Sequence, residues 1–111
     1  MTDARRSAYD SAMPTFVMLS TLGPDGHATM RDNPNRLRQV NADVEAMGVK
    51  VLAQYALLGP YDFLNILEAP DELTMSKVAT TLAARGTLKT VTLTAVDVDE
   101  YIKVMGGTDP S

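Results

Sequence analysis

Short apolar runs, separated by turns and by two amphipathic stretches, divide this chain into strands and helices. The runs are rich in β-branched, aromatic and leucine side chains, which suit the pleated surface of a sheet. Glycine, proline or aspartate residues flank most of them and indicate turns or helix starts. The pattern predicts four strands, at residues 15–22, 49–58, 61–68 and 87–96.

Between the first and second strands, apolar side chains recur three and four residues apart, as in a helix with one buried face. Asp32-Asn33-Pro34 predicts the start of this helix and Gly48 its end. Gly23-Pro24-Asp25-Gly26, directly after the first strand, predicts a turn. Residues 71–86 predict a second helix, and residues 97–104 a short final one.

The resulting order, β-α-β-β-α-β, predicts an α+β fold. A strand, a crossover helix and a parallel strand form a right-handed unit, and two such units joined by a hairpin make the ferredoxin-like fold. The hairpin lies at residues 57–62, where two apolar runs meet with little between them. We therefore expect a four-stranded antiparallel sheet with two helices on one face.

The two middle strands have no clearly polar face. Strict alternation places Val51, Ala53 and Tyr55 on one side of the second strand and Gln54 on the other. A sheet with one face in water alternates more cleanly than this, and the helices can cover only one face. We therefore predict that a second copy of the chain covers the other face, in a homodimer or a larger assembly of dimers.

Composition narrows the class of protein. The 111 residues suit one domain, and the absence of cysteine excludes disulfides, thiolate metal sites and cysteine nucleophiles. A net charge of −4 argues against a nucleic-acid partner, which requires a basic surface. No apolar run approaches the roughly 18 residues of a membrane span. We expect a cytoplasmic protein without a metal, a cofactor or a membrane partner.

The ends of the chain differ from its middle. Residues 1–12 are polar and without periodicity, and they predict a flexible N-terminal extension. Residues 106–111 contain two glycines and a proline and predict a flexible tail. The folded domain is therefore expected to occupy residues 13–105.

Several short motifs accompany this order of elements. They are Phe16-Val17-Met18-Leu19-Ser20-Thr21, Asn33-Pro34-Asn35-Arg36, Glu45-Ala46-Met47-Gly48, Gln54-Tyr55-Ala56-Leu57-Leu58-Gly59-Pro60-Tyr61-Asp62, Glu68-Ala69-Pro70-Asp71, Arg85-Gly86-Thr87 and Lys89-Thr90-Val91-Thr92-Leu93. On these motifs, residues 15–102 resemble the GYD-domain family of small bacterial and archaeal proteins. The resemblance implies a ferredoxin-like fold of the dimeric α+β barrel type and implies no particular reaction.

Five residues are candidates for binding a small organic molecule: Tyr55, Tyr61, Asn65, Asp62 and Arg36. Tyr61 and Asp62 are adjacent, so an extended strand points them to opposite faces. Alternation therefore favours Asp62 as an acceptor for backbone N–H groups at the turn. Tyr61, Tyr55 and Asn65 are predicted to share a face and to line an apolar pocket with a few polar groups. The alternative is a core or interface in which these polar tips bond internally.

Arg36 and two further residues, His27 and Arg85, have two interpretations each. His27 follows the first strand with no carboxylate in a recognisable motif, so an exposed histidine without a role is favoured over a general base. Arg36 could bind an anion through its planar guanidinium or pair with a nearby acid. Arg85 could also bind an anion, but it more simply complements the C-terminal end of the second helix.

Two classes of function follow from these candidates. The first is an oligomer that binds a small molecule, either as a simple binding protein or as an enzyme without a cofactor. The second is a regulatory or structural interaction module without catalytic activity. A cavity between sheet and helices, lined by Tyr55, Tyr61 and Asn65, would favour the first; a fully packed layer would favour the second.

Overall fold

The computed structural model describes residues 13–86 and 88–106. The predicted extension at residues 1–12 and residues 107–111 of the predicted tail lie outside the described residues, so the domain boundaries stay predictions. Over the described ranges, no helix is long and apolar enough to cross a membrane. The same ranges contain no group of three or more histidine or acidic side chains that could hold a metal ion.

The described residues form four strands and four helices. In chain order these are β1 (Thr15–Leu22), α1 (Pro24–Asp32), α2 (Arg36–Ala46), β2 (Lys50–Ala56), β3 (Phe63–Glu68), α3 (Glu72–Ala84), β4 (Leu88–Ala95) and α4 (Val98–Met105). The predicted strands and helices are all present. The hairpin loop is longer than predicted, because β2 ends before Leu57 and β3 begins after Asp62.

The strands form one antiparallel sheet in the order β2-β3-β1-β4. The two central strands, β1 and β3, pair with Phe16 opposite Leu67 and Met18 opposite Asn65. The predicted α+β, ferredoxin-like class is confirmed. This order places both β-α-β units in one sheet, with each outer strand beside the central strand of the other unit.

An irregularity in β2 changes which side chains share a face. The β2–β3 register shifts between Val51 and Ala53, so that Val51 lies opposite Leu67 and Ala53 lies opposite Ile66. An extra residue in one strand reverses the alternation beyond it. Strict alternation, which put Val51 and Tyr55 on one side, is therefore wrong for β2. Val51 and Gln54 share the helix-covered face, whereas Ala53 and Tyr55 share the other.

The segment after β1 is a helix, so the predicted turn at residues 23–26 is wrong. Gly23 is the N-cap of α1, Pro24 opens its first turn, and Asp25 lies in that turn. Proline at the first helical position and an acidic side chain beside it also stabilise a helix start. The same four residues therefore suit both structures, and packing decides between them. α2 then begins at Arg36, two residues later than the predicted Pro34.

The core lies between the sheet and the helices. Phe16 and Met18 from β1 and Leu67 from β3 meet Met75 and Val78 from α3, and all five are buried. Burying side chains of this size stabilises the fold by about 1.5–3 kcal/mol each relative to leaving them in water. The helix-covered face thus supplies most of the hydrophobic stabilisation.

The opposite sheet face, which we call the open face, is apolar at its centre, and no helix of the described ranges covers it. Its side chains from all four strands are Val17, Leu19, Ala53, Tyr55, Leu64, Ile66, Val91 and Leu93. Leu93 is 50% exposed and Tyr55 57% exposed. Charged side chains occur only towards the strand ends, at Lys50, Glu68 and Lys89. An apolar centre with a charged rim is typical of a protein interface.

The last two helices begin with aspartate caps. The Asp71 carboxylate accepts a hydrogen bond from the Thr74 N–H at 2.7 Å, and this bond, together with the Thr74 hydroxyl, lowers the pKa of Asp71. Asp97 accepts bonds from the N–H groups of Asp99 and Glu100 in α4. Aspartate is among the best N-cap residues, because its carboxylate satisfies donors that the helix leaves unpaired.

Helix α4 has an apolar stripe that nothing in the described chain covers. Val98, Tyr101, Ile102 and Met105 follow helical spacing along one side, and each is more than half exposed. No residue of α4 is buried against the described ranges. The described part of the fold therefore has two apolar surfaces that its own residues leave uncovered, the open face and the α4 stripe.

Candidate functional site

A cavity of about 250 Å³ lies between the helix-covered face of the sheet and helices α1, α2 and α3. Its apolar wall includes Met18, Leu22, Leu37, Val40, Phe63 and Leu88. An apolar cavity of 150 Å³ in another protein holds benzene, so this volume is sufficient for a small organic molecule. The layer between the sheet and the helices, where the sequence predicted a pocket, is therefore not fully packed.

Three amide side chains, Asn41, Gln54 and Asn65, form one hydrogen-bonded group at the cavity wall, which we call the amide triad. Asn41 donates to the Gln54 carbonyl at 2.9 Å, and Gln54 donates to the Asn41 and Asn65 carbonyls at 3.2 Å and 2.8 Å. The Gln54 donors are thereby used within the triad. In the described part of the chain, the Asn65 amide N–H groups have no acceptor and are available to a ligand.

The charged residues that line the cavity are both arginines. Arg85 lies 3.2 Å from the Asp43 carboxylate, which compensates its charge. Arg36 donates one hydrogen bond, to the Gln39 side chain at 3.0 Å, and has no ion-pair partner among the described residues. No aspartate or glutamate of the described ranges lines the cavity, although the chain as a whole has 14 acidic and 10 basic residues. The charged side chains at the cavity wall are therefore positive, whereas the net charge of the protein is negative.

The hairpin corner at Gly59–Asp62 fixes one end of the sheet beside this cavity. Gly59 has a φ of 134°, a backbone conformation that side chains with a Cβ rarely adopt. The Asp62 backbone bonds to Leu57 and Ser20, and its carboxylate accepts the Leu22 N–H at 2.7 Å. Because Leu22 lines the cavity, the Asp62 side chain holds the wall of the cavity at the end of β1.

His27 lies closer to a carboxylate than its sequence context indicates. Its Nε2 is 4.0 Å from Asp62 Oδ2, the oxygen that also accepts the Leu22 N–H. The His27 side chain is 59% exposed, as predicted, and the carboxylate beside it comes from a distant part of the sequence and not from a local motif. Sequence reasoning could not pair the two residues, since α1, which carries His27 towards Asp62, was predicted as a turn.

The five predicted site residues divide among three places. Arg36 and Asn65 line the cavity, Tyr55 lies on the open face, and Tyr61 and Asp62 belong to the hairpin corner. Tyr55 and Asn65 therefore do not share a face, because the β2 irregularity reverses the side to which Tyr55 points. Asp62 binds a backbone N–H group as expected, but that group belongs to the end of β1 instead of the turn.

Sequence reasoning missed Asn41 and Gln54 as site residues. Gln54 carried a signal, because an amide in an otherwise apolar strand needs a partner when it is buried. Asn41 carried none, since only the packing of α2 on the sheet brings it within 2.9 Å of Gln54.

Replacing Asp62 with alanine is expected to lower the free energy of unfolding by about 1.5 kcal/mol, the low end for a hydrogen bond to a charged group. The Leu22 N–H would lose its acceptor. Asp62→Asn retains an oxygen acceptor and should lose less than half as much. Urea unfolding followed by circular dichroism measures both; equal stability of Asp62→Ala and the wild type would contradict the role given to this carboxylate.

Comparison with known proteins assigns the family. Residues 16–105 match the GYD domain, which is most of the chain and all but one residue of the described elements from β1 to α4. The chain belongs to the GYD domain family. The resemblance noted in the short motifs is thereby confirmed.

A relative and a solved structure extend this assignment. The "Glutamine synthetase and cystathionine beta-lyase binding protein" of Thermus thermophilus is 50% identical to this GYD-domain protein over 91 residues. The match covers 81% of this chain and 96% of the relative. The crystal structure of MtbAldR superposes with a TM-score of 0.60 at 16% identity, over 87% of this chain and 60% of that chain. At this identity the second likeness concerns the fold alone.

Proposed function

We propose that this GYD-domain protein is an oligomeric binding protein that docks on a partner enzyme and holds a small organic molecule in its helix-side cavity. The observation that carries the proposal is the 50% identity with a relative named for binding two enzymes. Two uncovered apolar surfaces support it, because large exposed apolar patches mark interaction sites.

The open face suits a second copy of the same chain. Its apolar residues come from all four strands, and Lys50, Glu68 and Lys89 lie only at the margin. A two-fold axis through this face brings the same residues of each copy together, which is the commonest arrangement of soluble oligomers. Tyr55 then belongs to the subunit interface, where its ring is buried and its hydroxyl bonds at the rim.

The α4 stripe suits the partner enzyme. Val98, Tyr101, Ile102 and Met105 present one apolar side of a short helix, the form in which amphipathic helices bind grooves of other proteins. A dimer presents the stripe twice, so an enzyme with several subunits can be held at two points. The relative's name makes glutamine synthetase the first partner to examine and cystathionine beta-lyase the second.

Binding to purified glutamine synthetase from the same organism tests the partner proposal. We expect biolayer interferometry to detect the wild type and to show about tenfold weaker binding for Ile102→Glu, since a charge in an apolar contact loses at least about 1.4 kcal/mol. Thr80→Glu, which adds the same charge on the exposed side of α3, is the matched control and should bind normally.

The partner proposal would be wrong if neither enzyme bound the wild type, or if Ile102→Glu and Thr80→Glu bound equally well. It would also be wrong if Ile102→Glu dissociated the dimer, because the stripe would then belong to the subunit interface. Light scattering on the same samples separates these results.

A further inference from the structure

We infer that the helix-side cavity selects a small organic carboxylate: a compact apolar body with one anionic group that Arg36 binds. This inference rests on the proposed small-molecule site and specifies its ligand class. Four features of the cavity carry it: its volume, its apolar wall, the sign of its charges and its unused donors.

The volume and the wall define the body of the ligand. A cavity of about 250 Å³ corresponds to about eight water molecules at roughly 30 Å³ each. Most of the cavity wall is apolar, and the residues that form it include Met18, Leu37, Val40 and Phe63. A ring or a short branched chain fits these limits, whereas a sugar phosphate or a nucleotide is too polar for this wall.

The charges define the anionic group. Among the described residues, the two charged ones at the wall are both arginines, and Asp43 compensates only Arg85. Arg36 uses one of its five N–H donors on Gln39, so four remain for a ligand within the described surroundings. The planar guanidinium matches a carboxylate through two parallel hydrogen bonds, which makes this pair both strong and directional.

The amide triad defines how the ligand is oriented. Gln54 fixes Asn41 and Asn65 through three hydrogen bonds, which leaves the Asn65 N–H groups without an acceptor among the described residues. These donors favour an oxygen of the ligand over a cation or an N–H group. The unpaired arginine and the free amide donors of the wall therefore select the same kind of partner, an acceptor that carries negative charge.

Two pairs of probes test this inference: benzoate with benzamide, and hexanoate with hexanamide. Each pair keeps the apolar body and differs in charge. At constant ionic strength, we expect amide chemical shifts of cavity residues to report carboxylate binding about tenfold tighter than amide binding. Phenyl phosphate is the third arm, which distinguishes a carboxylate site from a phosphate site.

Two arginine variants localise the effect. Arg36→Gln should weaken benzoate binding about tenfold and change benzamide binding less than twofold, because only the charged contact is lost. Arg38→Gln removes the same charge from an exposed position of α2 outside the cavity wall and should change neither. Thermal melts confirm that both variants fold, which is expected because Arg36 is only half-buried.

The remaining outcomes overturn either the ligand class or the cavity as a small-molecule site. Equal binding of benzoate and benzamide, unchanged in Arg36→Gln, would refute the carboxylate class and leave the cavity as a small-molecule site. Tighter binding of phenyl phosphate than of benzoate would also refute the carboxylate class. Absence of all shifts at millimolar probe would refute the cavity as a small-molecule site, while the docking on a partner enzyme would stand or fall by its own experiment.

Discussion

If the open face forms the proposed two-fold interface, Leu93→Glu is expected to convert the dimer into a folded monomer. Leu93 is 50% exposed midway along the outer strand β4 on the open face, opposite Val17 of β1. In a two-fold interface the substitution occurs twice, and each new carboxylate loses its water when the faces meet. Removing an unpaired ion from water costs several kcal/mol, so dimer affinity should fall by about a hundredfold or more.

Light scattering during size-exclusion chromatography at micromolar concentration measures this change directly. Thr80→Glu adds the same charge to the exposed side of α3 and should leave the dimer intact. The far-ultraviolet spectrum of Leu93→Glu should match the wild type, because Leu93 does not belong to the helix-side core. A wild-type protein that is monomeric at these concentrations, or a dimer that tolerates Leu93→Glu, would show that the open face is not the subunit interface.

Met18→Ala is expected to lower the free energy of unfolding by about 2–5 kcal/mol, the range for removing a large buried side chain. Met18 is 1% exposed in the central strand β1 and also lies at the wall of the cavity. The part of the Met18 side chain that faces the cavity makes few contacts in the wild type. We therefore expect a loss in the lower half of this range of about 2–5 kcal/mol. The substitution should enlarge the cavity without changing the open face.

Urea unfolding at one fixed protein concentration measures this loss, because the stability of an oligomer depends on concentration. Leu58→Ala is the control: Leu58 is fully exposed in the hairpin loop, and its truncation should change stability by less than about 0.5 kcal/mol. Light scattering should still show a dimer for Met18→Ala. A loss below about 1 kcal/mol would mean that the core between sheet and helices is less closely packed around Met18 than its burial indicates.

The two layers of the molecule therefore have separate roles in our proposal. The helix-side layer supplies the core and encloses the cavity, while the open face and the α4 stripe provide contact surfaces. The hairpin corner contacts both layers, because Asp62 fixes the end of β1 and the side chains of β1 point to both faces of the sheet. A ligand in the cavity and a partner on the surface can thus be studied with different variants.

Sequence alone determined the architecture of this protein. Periodicity and turn residues located four strands and three of the four helices, and the order of these elements was sufficient for the ferredoxin-like class. The apolar content of both strand faces was sufficient to predict an uncovered face, since such patterns reflect burial directly. Arg36 and Asn65 were identified as candidates, and both line the cavity.

Only the tertiary structure decided which candidates meet. The register shift between Val51 and Ala53 moved Tyr55 to the open face and Gln54 to the cavity, and nothing in the strand's composition indicates it. Helix α1 formed where turn residues stand, since the same residues also start helices. The amide triad depends on α2 packing against the sheet. Local preferences specify elements, but contacts between residues distant in sequence depend on register and packing, which no short segment encodes.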